Sequence, residues 1–488
     1  GRAGARQPEA MIDIRPVAHP IGKILTAIGG MMLAPMVVDW WHGDPHWMVF
    51  LQSAVITMAA GVFVAVATAG RYDHLSLHQA FLLTSGIWLV LPLFGALPFM
   101  LGAPNATFTD AMFESMSGFT TTGTTVLPQL DSLARGIHLW RAILHWAGGL
   151  GIVVVAMVFL PVMQFFRSEG FDTLGKVLPR AGQIATEMTQ LYLILTGACI
   201  ITYLILGLTG FDAVVQAFST ISTGGFSNYD ASFGAFLGPA EWASSVFMVL
   251  ASIPFIRMVQ LMRGQAKPLW RDIQVRAYLR WIGYACVIIL LYRVLWLGPT
   301  GHPEEMLRET VFNVISTFSG TGFASTDVTQ WGHLPLMVLV ICGLIGGCTG
   351  STGCSVKVFR YLVLFEAVRA QIRRMHSPHR VYPLRYDGQP LEQDVVDSVM
   401  AFFTLFFLTF GLLIVGLSLT GLHPRTALTA DWTAIANIGP VWGPEVTRNG
   451  SIAEFPTSAK WLMTVGMFLG RLELVSVLVL LLPRFWRD

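Results

Sequence analysis

The chain has 488 residues, of which 54% are hydrophobic and only 12% charged, with 48 glycines. A soluble protein of this size carries about a quarter charged residues, so the composition excludes a disordered chain and an ordinary cytosolic globule. The net charge of +2 sums 31 basic against 29 acidic residues; it points to no polyanionic partner, and the information lies in where the charges sit.

Along the chain, the first ten residues, GRAGARQPEA, lack the apolar core and cleavage site of a signal peptide. A bilayer core of about 30 Å requires roughly 20 apolar residues in a helix. Residues 20–41 and 47–70 meet that length as an N-terminal pair. His42 and His46 between them have a helical metal-ligand spacing, but Gly43 and Pro45 indicate a loop. Further crossings follow at 79–101, 137–163, 187–209, 241–262, 277–297, 333–346 continuing through 356–368, 397–420 and 458–482, ten in all with one interrupted. Cys199, Cys286, Cys342, Cys348 and Cys354 lie in or beside these runs without CxxC or zinc spacing and read as small core residues. No P-loop is present, and the helices hold almost no titratable groups from which a membrane enzyme would build a site.

Four semi-apolar stretches too short to span lie between the crossings: 105–128, 211–229, 304–327 and 424–446. Each starts polar, continues as a short helix-like run and breaks at glycine: TDAMFESMSGFTTTGTT, GFDAVVQAFSTISTGGFS, RETVFNVISTFSGTGFAS and TADWTAIANIGPVWG. Aligning Gly123, Gly224, Gly322 and Gly439 gives spacings of 101, 98 and 117 residues, the mark of an internal repeat. The expected fold is an all-α polytopic membrane protein of four parallel helix, pore-loop, helix repeats plus the N-terminal pair. Its units are a tail at 1–15, the pair at 16–72, and repeats at 73–185, 186–270, 271–390 and 391–488. Two crossings per repeat give all four the same orientation about one axis.

With the glycine loops outside, 21 basic residues fall inside and 6 outside, which sets both termini in the cytoplasm. The outer segments hold 15 of the 29 acidic residues, among them Asp110, Glu114, Asp212, Asp230, Asp327, Asp431 and Glu445, a set that attracts cations. Non-helical backbone at membrane depth is tolerated only where protein buries it or water and ions reach it. Four glycine loops around one axis can aim carbonyl oxygens inward, as a cation filter needs, with hydroxyls of Thr121, Thr122, Thr223 and Thr321 beside them. The stretch GLIGGCTGSTGCS at 343–355 breaks an apolar helix with five glycines and must sit in a cavity. Arg471 interrupts the last apolar helix, where a charge is costly; Glu473, about 200° around the helix, cannot pair with it, so Arg471 faces the pore or a polar cavity. Lys357 either anchors the 343–355 break to the cytoplasmic side or snorkels.

The segments TTTGTT, STGGFS, SGTGFAS and NIGP, the stretch IGGCTGSTGCSVKVFR and the ending GRLELVSVLVLLLPRFWRD resemble the Trk/Ktr family of bacterial potassium transporters, closely its TrkH branch, from about residue 15 to 488. The resemblance implies potassium uptake across the bacterial inner membrane, no enzymatic activity, no bound cofactor, a homodimer, and a cytosolic nucleotide-binding regulatory ring (TrkA). It implies potassium coordination by Thr121, Thr122 and Gly123; Ser222, Thr223 and Gly224; Gly320, Thr321 and Gly322; and Asn437, Ile438 and Gly439. So short a filter implies fewer ion sites than a potassium channel and looser discrimination between potassium and rubidium. It further implies a gate at Gly346, Gly347, Cys348, Thr349, Gly350, Ser351, Thr352, Gly353 and on to Ser355, with Arg471 as an electrostatic barrier. Val441 and Trp442 depart from the pattern, where relatives often carry another glycine. Two function classes stay open, a gated potassium pore and a secondary transporter working by alternating access; the latter favours inverted repeats. A non-conducting receptor leaves the glycine loops and the acidic outer face unexplained.

Overall fold

A computed structural model describes residues 13–70, 72, 75–159, 181–298, 302–377, 383–447, 449–472 and 486. The N-terminal tail before residue 13, Arg71, residues 160–180, Glu473 and the rest of the predicted 458–482 helix lie outside them. Among the described residues, the one sheet is a two-stranded hairpin, Arg385–Tyr386 with Gln389–Pro390, turned at Asp387-Gly388 in the link before the last repeat. Everything else that is regular is helical. Among the described residues, six helices are long and apolar enough to cross a membrane: Arg15–Trp41, Trp47–Ala67, His78–Leu101, Ala185–Ile205, Ile273–Trp296 and Gln393–Leu419.

The predicted crossing at 241–262 is a bent pair instead. Pro239–Ser252 and Phe255–Met262 meet at 102° across Ile253 and Pro254. Proline removes the amide that would continue the helix, and the carbonyls freed upstream take donors from elsewhere: Ser252 O accepts Cys348 N at 2.8 Å and Ala251 O accepts Thr352 N at 3.2 Å. The interrupted crossing is present as read, with His333–Ile345 and Val358–His376 separated by the glycine break.

At the N-terminus, Arg15–Met31 and Trp47–Ala67 pack through small residues. A Cβ at Gly22 would stand 2.6 Å from Ala65 N, and one at Gly61 would stand 2.6 Å from Thr26 N. Such close approach is how helices associate where lipid supplies no hydrophobic drive. Buried Asp39 fastens this pair to the inner helix Arg135–Phe159, accepting Gly136 N at 2.6 Å and facing His46 at 3.2 Å. His46 is thereby a structural partner, and no cluster of metal-ligating side chains occurs among the described residues.

The four short stretches form helices Phe108–Phe119, Gly210–Ile221, Pro303–Ser319 and Pro424–Ala436, here called pore helices 1 to 4. Thr107 and Thr209 cap the first two by accepting Asp110 N and Asp212 N, as hydroxyl residues do at N-termini. A positive-φ residue follows the last residue of each pore helix by one position (helices 3 and 4) or two (helices 1 and 2), and a non-helical loop continues the chain.

Candidate functional site

The loops after the four pore helices repeat one backbone pattern. Positive φ occurs at Thr121 (51°), Thr223 (51°), Gly320 (80°) and Asn437 (52°), and again two residues later at Gly123 (87°), Gly225 (82°), Gly322 (76°) and Gly439 (114°). The second loop is therefore in register through Gly225, one residue beyond the Gly224 aligned by spacing. Ser222 is not part of the turn: it is the C-cap of pore helix 2, in right-handed conformation, with Oγ donating to Phe218 O at 2.7 Å. Glycines 224 and 225 are adjacent, and their dihedrals distinguish them: Gly225 has φ 82° and Gly224 does not have positive φ.

The second positive-φ residue of each pattern, a glycine in all four, touches the next loop. A Cβ on Gly123 would lie 2.1 Å from Gly224 O, on Gly225 1.9 Å from Thr321 O, on Gly322 1.8 Å from Ile438 O, and on Gly439 2.7 Å from Thr122 O. These four contacts close a ring through all four loops. Only a residue without Cβ fits both the positive φ and the neighbouring carbonyl. All four glycines line one cavity of about 620 Å³ that also includes Asp230, Asp327 and Asn449.

The threonine hydroxyls near the ring are occupied by protein. Thr122 Oγ1 meets Thr120 Oγ1 at 2.7 Å and accepts Asn437 Nδ2 at 2.9 Å; Thr223 Oγ1 donates to Thr352 O at 3.0 Å; Thr321 Oγ1 meets Ser319 Oγ at 2.7 Å. They brace the loops. Trp442 turns back onto pore helix 4, its ring 5.1 Å from Trp432 and its amide donating to Thr429 Oγ1, so the departure at 441–442 is accommodated by packing.

Of the seven outer acids named from the sequence, five are buried or bonded within the protein. Glu114, Asp212 and Asp431 are buried, Asp110 pairs with Lys460 at 2.7 Å, and Glu445 accepts His423 N. Asp230 and Asp327 do line the cavity.

Sequence reasoning missed a polar brace between the first two loops. Fully buried Arg141 donates to Glu114 Oε1 at 2.7 Å and to Ser227 O at 2.7 Å, and its guanidinium lies 4.0 Å from the Phe226 ring centre. One turn on, His145 bonds Gly118 O through Nδ1 at 2.7 Å and accepts Phe226 N at Nε2, 3.1 Å away. That pair of bonds defines a neutral imidazole with its proton on Nδ1. Charged and aromatic residues one helical turn apart (Arg141, His145) inside an apolar run were the available signal. Glu114→Gln removes the counter-charge from a guanidinium that cannot reach water; unfolding in detergent is expected to lose about 3–5 kcal/mol of stability, read as a lowered melting temperature. An unchanged melting temperature would refute the brace.

Beneath the ring lies the broken helix. Gly346–Cys354 is buried apart from Gly350, which is half-buried. Thr352 Oγ1 donates to Ile221 O and Ala251 O at 3.1 and 2.9 Å, and Phe255 N donates to Gly350 O at 2.9 Å. Arg471 donates through its two terminal nitrogens to Cys354 Sγ at 2.9 Å and Thr121 Oγ1 at 2.8 Å. The arginine thus links the last helix, the glycine break and the first loop. Cys354, expected only to fill space, is also an acceptor; all five cysteines are buried and free. Lys357 is half-buried with φ 75° and its amide donates to Ile345 O, closing the break before Val358–His376.

The family model described as TrkH, cation transport protein, matches residues 46–487. The chain is 37% identical over 481 residues to the Trk system potassium uptake protein TrkI of Halomonas elongata, with 97% of each covered. It is 33% identical over 489 residues to the Trk system potassium uptake protein TrkH of Escherichia coli K12, covering 98% of this chain and 100% of that one. The crystal structure of the potassium transporter TrkH from Vibrio parahaemolyticus is similar with a TM-score of 0.91 at 32% identity, covering 98% of this chain and 100% of that chain.

Proposed function

The chain belongs to the TrkH family of cation transport proteins, and from that membership we propose that it takes up potassium across the bacterial inner membrane, N- and C-termini in the cytoplasm, through a filter made of its four glycine loops. It is a transporter, not an enzyme, with potassium as substrate and no cofactor. The repeats at 73–185, 186–270, 271–390 and 391–488 each contribute one loop to that filter.

The observation that carries the reading is that Gly123, Gly225, Gly322 and Gly439 close a ring of loop contacts and line one cavity. A dehydrating cation needs oxygens in place of its water shell. The ring supplies backbone carbonyls at Thr121, Thr122 and Gly123; Thr223, Gly224 and Gly225; Gly320, Thr321 and Gly322; and Asn437, Ile438 and Gly439. Gly346–Ser355 is the gate, sealed on the inner side by hydrogen bonds to loops 1 and 2 and by Arg471, whose positive charge opposes cation passage. Rotation of Gly346–Ser355 away from Thr223 and Ile221 opens the path. A homodimer, and a cytosolic nucleotide-binding ring acting on the basic inner face, complete the system by family resemblance. Alternating access fits less well, because a closed ring of four equivalent contacts leaves no two halves to rock against each other.

The reading is tested with purified protein in liposomes loaded with potassium. Rubidium uptake driven by that gradient, and blocked by external potassium, is expected; no potassium-sensitive uptake in protein that remains folded would overturn it.

A further inference from the structure

Asp431 sits in the middle of pore helix 4 and is 0% exposed, with neither carboxylate oxygen hydrogen-bonded. The other buried carboxylates among the described residues all have partners. Asp39 takes Gly136 N and His46; Glu114 takes Arg141, Thr125 and Val126 N; Asp212 takes Asn228 and Tyr229; Glu241 takes Gly238 N and Arg308; Asp272 takes Arg257 and Gln274 N. A buried carboxylate without a partner is expelled from its charged state by its surroundings, and the group neutralises itself.

Charged and titratable groups on the elements around Asp431 do not supply the missing partner. On its own helix and cap these are His423 and Arg425; on the last helix, Lys460 and Arg471; on His333–Ile345, His333 and Cys342; on Gln393–Leu419, Asp394 and Asp397 near its start; and on the following loop, Glu445 and Glu454. Lys460 is bonded to Asp110, Arg471 to Cys354 and Thr121, and Glu445 to Thr426 and His423 N. Of the neighbouring hydroxyls, Thr429 donates to Trp442 O and Thr433 accepts Gly439 N, and neither bonds Asp431. A metal ion needs several oxygen ligands, and no cluster of metal-ligating side chains occurs among the described residues. A proton is the ligand this site can hold.

We infer that Asp431 is a proton-binding site coupled to ion occupancy of the fourth loop. It lies six residues before Asn437, about 9 Å along the helix axis, in surroundings that screen charge poorly. With the proton on, the fourth loop has no charge behind it. With the proton off, the new negative charge stabilises a cation among the loop carbonyls. Linkage makes the effect reciprocal: cation binding releases the proton, and raising the pH tightens cation binding. No covalent step is involved, and the proton leaves to solvent.

The consequence for transport rests on the conduction reading above, so the test has two arms. Infrared spectra of protein with isotope-labelled aspartate should show the carbonyl stretch of a protonated carboxylic acid at neutral pH. That band should be missing in Asp431→Asn and weakened by added potassium. In liposomes, the apparent KM of wild type for rubidium should fall about fivefold or more between about pH 6 and pH 10, while Asp431→Asn stays at the wild-type low-pH value at every pH. No acid band in wild type, a band that survives Asp431→Asn, or parallel pH profiles in the two proteins would each overturn the proton site. Absence of rubidium uptake by wild type would overturn the conduction reading instead, and the infrared arm would still decide whether Asp431 holds a proton.

Discussion

Gly225→Ala is expected to abolish rubidium uptake by the reconstituted protein, while Gly439→Ala is expected to retain a measurable fraction of it. Gly225 has φ +82°, a conformation that costs an L-residue roughly 1–2 kcal/mol, and its new Cβ would stand 1.9 Å from Thr321 O. Neither atom can yield cheaply, because both belong to backbone held by its own pore helix. Relief displaces the Thr321 carbonyl, one of the oxygens in the ring, and a displaced oxygen leaves the cation short of its hydration replacement. A loss of about 3 kcal/mol would already cut the rate more than a hundredfold. At Gly439 the same Cβ would meet Thr122 O at 2.7 Å, a few tenths of an ångström from tolerable, so the effect is smaller. Ser222→Ala serves as the control: its hydroxyl bonds Phe218 O within the helix end and touches no carbonyl of the ring contacts, so uptake should stay close to that of wild type. Normal uptake by Gly225→Ala together with loss in Ser222→Ala would restore the register that spacing alone suggested.

Deleting residues 347–353 is expected to raise flux several-fold, and Thr352→Val to reproduce part of the gain. The deletion takes away Thr352, whose hydroxyl reaches Ile221 O and Ala251 O and whose carbonyl accepts Thr223 Oγ1. It also removes the Cys348 amide bond to Ser252 O. Valine keeps the shape of threonine and loses only the hydroxyl. The single hydroxyl proton is shared between the two carbonyls, and such a bond contributes about 0.5–1.5 kcal/mol net, so its loss favours the open form by up to about tenfold in the open fraction. The readout is initial rubidium flux normalised to folded protein. Flux that is unchanged or lower in both variants would remove the gate assignment and leave the break as a packed kink.

Much of the fold was legible because membrane insertion acts on composition over long windows. Apolar runs of about 20 residues, glycine-broken segments and the split between 333–345 and 358–376 each impose their own backbone solution, whatever surrounds them. The break was readable for the same reason: five glycines across 343–355 of an apolar helix are expensive unless something polar receives the exposed backbone. The bend at Pro254 was not anticipated from an apolar run of normal length. What makes it is the pairing of Ser252 and Ala251 carbonyls with amides about 100 residues further on.

The candidate site divides along the same line. The residue types were visible, glycine with threonine after a short helix four times over, and so was the charge of Arg471 in an apolar helix. The register of the second loop, the use of threonine hydroxyls as braces, the Arg141–Glu114 pair behind Phe226 and the isolation of Asp431 were not. Each depends on a contact between segments distant in sequence, and in three of them a polar group is judged by whether a partner arrives.

The sequence by itself determined that this chain lives in a bilayer, repeats a glycine-broken unit four times and interrupts one helix, because these follow from local backbone and solvation demands. Only the tertiary structure decided which glycine of each unit closes the ring and which polar groups are paired. A Cβ clash or an unpaired carboxylate exists only with respect to a neighbour, and those neighbours come from other repeats.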